Sequence, residues 1–255
     1  MRIRVNFIAV NGGLLPYNYQ YDIHVMLRNL LKSHSSFIPH EYFTFSWLFF
    51  PQKWTAKNPS GIKLVPNTRL SLYISSPDKN FMNNVLNAFQ KTSRVNLSDL
   101  VLNVHSAIPV DDPPFSEEMR FKTLSPILIS TQIKSEGRIR IWDLSPNDDK
   151  FFEQLRENLI WKYTYYYGNP PESNHIKISK IYWTKSKRIR VRNMFHISHL
   201  MSFSIIGHPD LLRFAYECGF GEKNHFGFGM VTVDTKKEKQ KVKKEEEKKI
   251  QESNE

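Results

Sequence analysis

Apolar and polar residues alternate from the first position, with Ile3, Val5 and Phe7 on one side of a strand and Arg2 and Arg4 on the other. Gly12 and Gly13 end it. Over residues 19–32 the period changes to a helical one, and Ile23, Met26, Leu27, Leu30 and Leu31 form its stripe. Residues 43–50 read as an aromatic strand and 70–74 as a further strand. Pro77-Asp78 then opens a helix with Phe81, Val85, Leu86 and Phe89 as apolar positions, and 95–105 closes the set as a strand. The order is β-α-β-β-α-β, the ferredoxin-like unit.

The second half repeats that order. Residues 122–131 and 138–142 read as a strand and its hairpin extension, and 147–166 as a helix with Phe151, Phe152, Leu155, Leu159 and Ile160 inside. Gly168-Asn-Pro-Pro171 breaks it. Strands follow at 175–182 and 195–205, a helix at 209–218 and a last strand at 226–233. The predicted class is therefore α+β, with two tandem ferredoxin-like domains, 1–110 and 115–234, joined at Asp111-Asp-Pro-Pro114. Residues 235–255 show no apolar periodicity and read as a charged, disordered tail.

Composition narrows the partner. The chain has 255 residues, 40% of them hydrophobic, so it can bury real cores. One cysteine, Cys218, excludes a disulfide framework and a cysteine-based metal site. With no apolar run of about 18 residues and no signal-peptide pattern, a soluble cytoplasmic protein is expected. The net charge is +11, of which the tail supplies +2, so the body carries +9. That excess points to a polyanion.

Three basic patterns suit phosphate. Arg2 and Arg4, Arg138 and Arg140, and Arg188, Arg190 and Arg192 each recur at period two, which spaces guanidinium groups about 6.6 Å apart along a strand. Residues 208–233 add a different device. Pro209 suits the first turn of a helix whose apolar face includes Leu211, Leu212, Phe214, Ala215 and Cys218. Four of the ten glycines then fall at Gly219, Gly221, Gly227 and Gly229, with Lys223 and Asn224 at the tip. Residues without a Cβ leave N–H groups open to an anionic partner. The helix-loop-strand order excludes a P-loop and a dinucleotide loop, both of which run strand to helix. RNA is favoured over DNA, because ferredoxin-like sheets bind single strands.

For chemistry, His24, Arg28 and Lys32 share one helix face, and His34 and His40 follow. RNA can be cut without metal when one group takes the 2′-OH proton, another protonates the leaving 5′ oxygen and a cation stabilises the phosphate. Histidine suits the proton transfers and lysine or arginine the charge. The nine histidines show no metal-ligand spacing.

GFGEKNHFGFGMV (219–231) resembles the C-terminal glycine-rich loop of the CRISPR-associated endoribonucleases of the RAMP superfamily, which process repeat transcripts into guide RNAs. LLPYNYQY (14–21), FTFS (43–46) and FKTLSPILI (121–129) resemble the same family in the same order, spanning most of the chain. The resemblance implies metal-independent cleavage of repeat RNA to a 2′,3′-cyclic phosphate and a 5′-hydroxyl, with no cofactor. It places His40 as general base; on the residues themselves either Arg28 or Lys32 is expected to stabilise the phosphate, with the acid unassigned. Arg28 stands where some members carry tyrosine, and only Glu41 and Tyr42 separate His40 from FTFS, where those members also carry lysine. Some members bind repeats without cutting. The implied partner is CRISPR repeat RNA, single-stranded or weakly structured. Other CRISPR effector subunits and a second copy of the chain are further candidates, and no membrane is involved.

Overall fold

Ile3, Val5, Phe7 and Ala9 all face inward from β1 (Arg2–Ala9), and the strand built on them runs through the middle of the first sheet. The computed structural model describes residues 1–34, 42–50, 56–135 and 137–234. In it β1 pairs antiparallel with β6 (Arg69–Ser75) on one side and β8 (Leu100–Val110) on the other. β3 (Thr44–Phe45) and β7 (Arg94–Leu97) form the edges, giving the order β3-β6-β1-β8-β7. Two helices share this core: α1 (Gln20–His34) through Ile23, Leu27 and Leu31, and α2 (Lys79–Lys91) through Met82, Val85 and Phe89. The Asp78 carboxylate caps α2, accepting from the Phe81 N–H at 2.9 Å.

The second sheet has the same plan. β9 (Glu118–Thr123) lies between β13 (Met194–Gly207) and β14 (Val231–Val233), with β12 (Ile176–Val191) outside β13. α3 (Lys150–Tyr167) and α4 (Pro209–Cys218) bury Phe151, Leu155 and Leu159, and Leu211, Leu212 and Phe214, in its core. Within each half the sheet takes its unit's strands in the order second, third, first, fourth, so both halves are ferredoxin-like.

Several elements depart from the expected ones. Residues 95–105 are not one strand: Ser98 at φ +51° turns the chain between β7 and β8. Of 43–50 only Thr44 and Phe45 pair in ladder fashion, with an isolated bridge from Phe49 to Ser71. The basic run KSKRIRVR continues β12, which with β13 makes one long hairpin. The alternating Phe226–Met230 stretch is not a strand, and β14 begins only at Val231. The small sheet of β2 (Gly13–Pro16), β4 (Ala56–Asn58) and β5 (Gly61–Leu64) has no counterpart among the expected elements. β10 (Ser130–Ser135) and β11 (Arg138–Asp143) form a separate two-stranded ribbon. Among the described residues no helix is long and apolar enough to cross a membrane.

Candidate nucleic-acid interface

α4 stops at Gly219, and the glycine-rich loop that follows is built inward. All four glycines are buried at positive φ, Gly219 at +90°, Gly221 at +72°, Gly227 at +81° and Gly229 at +76°. A Cβ on Gly229 would lie 1.9 Å from the Phe220 carbonyl oxygen, and one on Gly227 would lie 2.3 Å from the Phe45 ring. Three of the four glycine amides expected to face an anion are already used. Gly219 N–H donates to Ala215, Gly227 N–H to Asn224 and Gly229 N–H to Pro126, at 2.8–2.9 Å.

Asn224 is likewise consumed. At 5% exposed, its amide nitrogen donates to the carbonyls of Phe220 and Phe228 at 3.0 Å. Its Oδ1 accepts from Lys162 Nζ at 2.9 Å. Lys162 is the residue that sequence reasoning missed. From α3 its ammonium also donates to the carbonyls of Gly219 at 2.7 Å and Gly221 at 2.9 Å, so one buried cation ties the loop together. Burial lowers the pKa of that ammonium. Gly219, Gly227, Gly229 and Asn224 are therefore corrected from phosphate binders to packing elements, since a tightly folded loop needs residues without Cβ and internal partners for its polar groups. A lysine inside the aromatic run WKYTYYY was the available signal.

What the loop does present is a basic, aromatic rim against the first unit. His24 of α1 hydrogen-bonds through Nδ1 to the His225 carbonyl at 2.9 Å. A carbonyl only accepts, so Nδ1 carries the proton and Nε2 is left as an acceptor in the neutral ring. The His24 ring packs on Phe226 with centroids 4.7 Å apart and on His225 at 5.6 Å. Burial is the main cause that lowers the His24 pKa, helped by Arg28 and Arg192. Burial likewise pushes His225 down to about 4, with His24, Lys223 and Arg192 adding to it. Two neutral imidazoles thus sit among cations, where the loop meets α1.

The hairpin tip reaches the same place. Arg192 turns the chain at φ +53°, and its guanidinium lies 5.5 Å from the Tyr21 ring centroid and 5.9 Å from that of Phe226. It is therefore not the third member of a straight arginine row. Arg188 and Arg190 are exposed on β12 opposite buried Ile189 and Val191, as their alternation predicts. Arg188 lies over the Phe195 ring at 4.2 Å, and the Arg190 backbone N–H donates to Asn18 Oδ1 at 2.9 Å. Arg190 and Arg192 line a cleft with Asn18, Tyr21 and Asp22.

The other basic residues are dispersed. Arg138 and Arg140 sit on the ribbon, where Ile139, Ile141 and Trp142 are also exposed, so no buried face opposes them. Asp143 at the ribbon root accepts from the Ile197 N–H at 2.7 Å. Arg2, read as part of a phosphate row, is only 2% exposed; its guanidinium donates to the Tyr216 carbonyl at 2.9 Å and lies 3.6 Å from the Tyr216 ring centroid. It clamps the two units together. Arg28 and Lys32 are exposed on α1, and Arg28 acts on His24 while Lys32 lies one turn further on. His40 and Glu41, and the tail 235–255, lie outside the described residues. Among the described residues no three His, Cys, Asp or Glu side chains cluster as a metal site.

Comparison with known proteins converges on one family. Residues 110–233 match the model "CRISPR associated protein Cas6, C-terminal". The CRISPR-associated endoribonuclease Cas6 1 of Methanocaldococcus jannaschii is 32% identical, over 94% of this chain and 96% of the relative. The CRISPR-associated endoribonuclease Cas6 of Pyrococcus furiosus is 28% identical over 91% of this chain and 88% of the relative. A structure described as that of a Cas6-related gene from Pyrococcus furiosus superposes with TM-score 0.83 at 28% identity, over 92% of this chain and 99% of the other. One described as an RAMP protein binding different RNA substrates gives TM-score 0.82 at 30% identity, over the same shares.

Proposed function

The chain belongs to the Cas6 family of CRISPR-associated proteins, and on that premise we propose that it binds CRISPR repeat RNA and cuts it into guide RNAs. The reading rests on one observation above all: His24, Arg28, Arg192, Lys223 and His225 converge where the two units meet. The segment carrying His40 leaves α1 six residues after Arg28 and returns at Tyr42, which lines a cavity with Lys223 and His225. Residues 1–110 and 115–234 are the two units that grip the strand, and the RNA path runs along their seam.

In this mechanism His40 removes the 2′-OH proton, and the 2′ oxygen attacks the adjacent phosphorus. The 5′ oxygen leaves with a proton, giving a 2′,3′-cyclic phosphate and a 5′-hydroxyl without a metal ion. Arg28 or Lys32 stabilises the charge that develops on the phosphate. His24, neutral and with Nε2 open as an acceptor, stands in reserve as a second proton carrier beside Arg28. Arg138, Arg140, Arg188 and Arg190 hold the flanking strand through phosphates.

The test is incubation of the purified full chain with the repeat encoded in its own genome, in excess EDTA. Cleavage at a single site is expected, with the two termini named. His40→Ala should lose roughly 10²-fold or more in rate while retaining affinity. Undiminished cutting by that variant removes His40 from the mechanism, and cutting that stops in EDTA removes the metal-free route. A second reading, a non-cleaving repeat-binding subunit, is favoured by the likeness to the RAMP protein described for RNA binding and by Arg28 standing where some members carry tyrosine. It predicts tight binding and intact RNA.

A further inference from the structure

α3 carries a row of aromatics that the core does not use. Trp161 and Tyr165, one turn apart, stack at 5.4 Å between centroids and 21° between planes, yet are 61% and 70% exposed. Large exposed rings cost solvation unless a partner covers them. Tyr42 continues the stack, 6.5 Å from Tyr165 at 25°. Between this row and the glycine loop lies a cavity of about 160 Å³, lined by Tyr42, Asn158, Trp161, Lys223 and His225 among others. Its volume is sufficient for one heterocycle.

The polar lining is specific. Asn158 Oδ1 is buried and has no hydrogen-bond partner among the described residues. Its neighbours on the loop side are already engaged: Lys162 and Asn224 satisfy each other and the loop carbonyls. Among the described residues nothing satisfies Oδ1, so it is free to accept from a bound group. An aromatic wall, one unspent amide and Lys223 at the rim are the three elements that recognise a single unpaired nucleotide: stacking for the base, a carboxamide for its edge and a cation for its phosphate.

We propose that this cavity takes one unpaired base of the bound RNA, stacked on Trp161 and read through its exocyclic amino group by Asn158. His225, whose carbonyl accepts from His24, lines the same cavity, so the base would lie beside the cluster to which the proposed reaction assigns the scissile phosphate. The inference rests on the repeat-RNA reading above and assigns it residues outside the arginines and the α1 cluster.

The experiment is an abasic scan. Repeat RNA with one abasic ribose at each position in turn is bound to the full-length wild-type chain, Trp161→Ala, Trp161→Phe and Asn158→Ala. One position close to the cut should weaken wild-type binding on the order of tenfold when its base is removed. Trp161→Ala should bind intact RNA about as weakly and be indifferent to that abasic site, while Trp161→Phe keeps most of the sensitivity. At that position, replacing an amino-bearing base by its counterpart without the amino group should weaken the wild type and leave Asn158→Ala unaffected. Trp161 is exposed, so its variants fold, and melting curves verify it. If Trp161→Ala keeps the wild-type profile at every position, the cavity holds no base and this inference falls alone. If the wild type binds no repeat transcript at all, the repeat-RNA reading falls with it.

Discussion

Lys162 is the residue on which the loop geometry turns. Its ammonium meets two loop carbonyls and Asn224 Oδ1 in a site only 7% exposed, and no other described cation takes those acceptors. Lys162→Met keeps the aliphatic stem but strands the Gly221 carbonyl and Asn224 Oδ1, and leaves the Gly219 carbonyl only the Cys218 thiol at 3.4 Å. A loss of about 3 kcal/mol or more is expected, read as a lower urea midpoint at unchanged m-value. His225 offers a second test at this scale, through pH. Its folded pKa of about 4 lies below the ordinary 6.5, so between those values the unfolded chain binds more protons. Stability therefore rises with pH through that window and is lost as pH falls from 6.5 toward 4, and His24 shifts in the same direction. His24, Lys223 and Arg192 all oppose protonation of His225, while Glu222, which lines the same cavity, is engaged by Ser130. His225→Gln should remove a share of the acid sensitivity on the order of 2 kcal/mol, seen as a smaller difference between urea midpoints at about pH 6.5 and 4.5. Equal pH dependence in both proteins would mean that this imidazole does not carry the effect.

Among the elements, the glycine loop and the C-cap of α3 separate two costs that glycine avoids. Gly229 and Gly168 share φ +76°, yet a Cβ on Gly229 meets the Phe220 carbonyl oxygen at 1.9 Å and one on Gly168 meets nothing within 4 Å. Gly168→Ala should cost only the left-handed strain, about 1–2 kcal/mol. Gly229→Ala must also push backbone apart, and should leave little soluble folded protein on expression. The same contrast explains what could be read in the chain. Strong periodicity found β1, α1, α2 and α3 and gave both unit orders, because apolar spacing reports which face is buried. It failed where spacing is ambiguous. Phe226-Gly-Phe-Gly-Met alternates like a strand, but its phenylalanines fill gaps between sheets while positive φ at the glycines breaks the ladder. Residues 95–105 hid a turn because Ser98, not glycine, takes the left-handed position. Arg188 and Arg190 were legible as an exposed face; Arg2 was not, since its partner Tyr216 lies 214 residues away. Lys162, Asn158 and Trp161 were hidden for the same reason, because their chemistry depends on a loop far along the chain, 57 residues on from Lys162 to Gly219.

For the molecule as a whole, charge has two separate tasks, and salt distinguishes them. Residues 1–234 hold 28 basic against 19 acidic side chains, a field that attracts RNA from any direction. Arg2 uses its charge internally, on the Tyr216 carbonyl and ring, where burial lowers its pKa to about 10. Ser75 adds a hydroxyl bond to the Glu217 carbonyl at 2.9 Å, and Thr44 one to Phe228 at 2.8 Å, so the seam is fastened from both ends of the glycine loop. A rigid seam would serve the proposed reaction, because the α1 cluster and the loop rim belong to different units and that reaction requires them to be held in register. Arg188→Ala and Arg190→Ala should therefore weaken RNA binding and reduce the slope of log affinity against log salt by about 0.7 for each phosphate no longer neutralised, with melting temperature unchanged. Arg2→Ala should do the converse, lowering the melting temperature while leaving the salt slope intact. Were Arg2→Ala to flatten the slope and Arg188→Ala to leave it alone, the RNA would have to run across the opposite side of the molecule, and the cluster at the seam would lose its substrate.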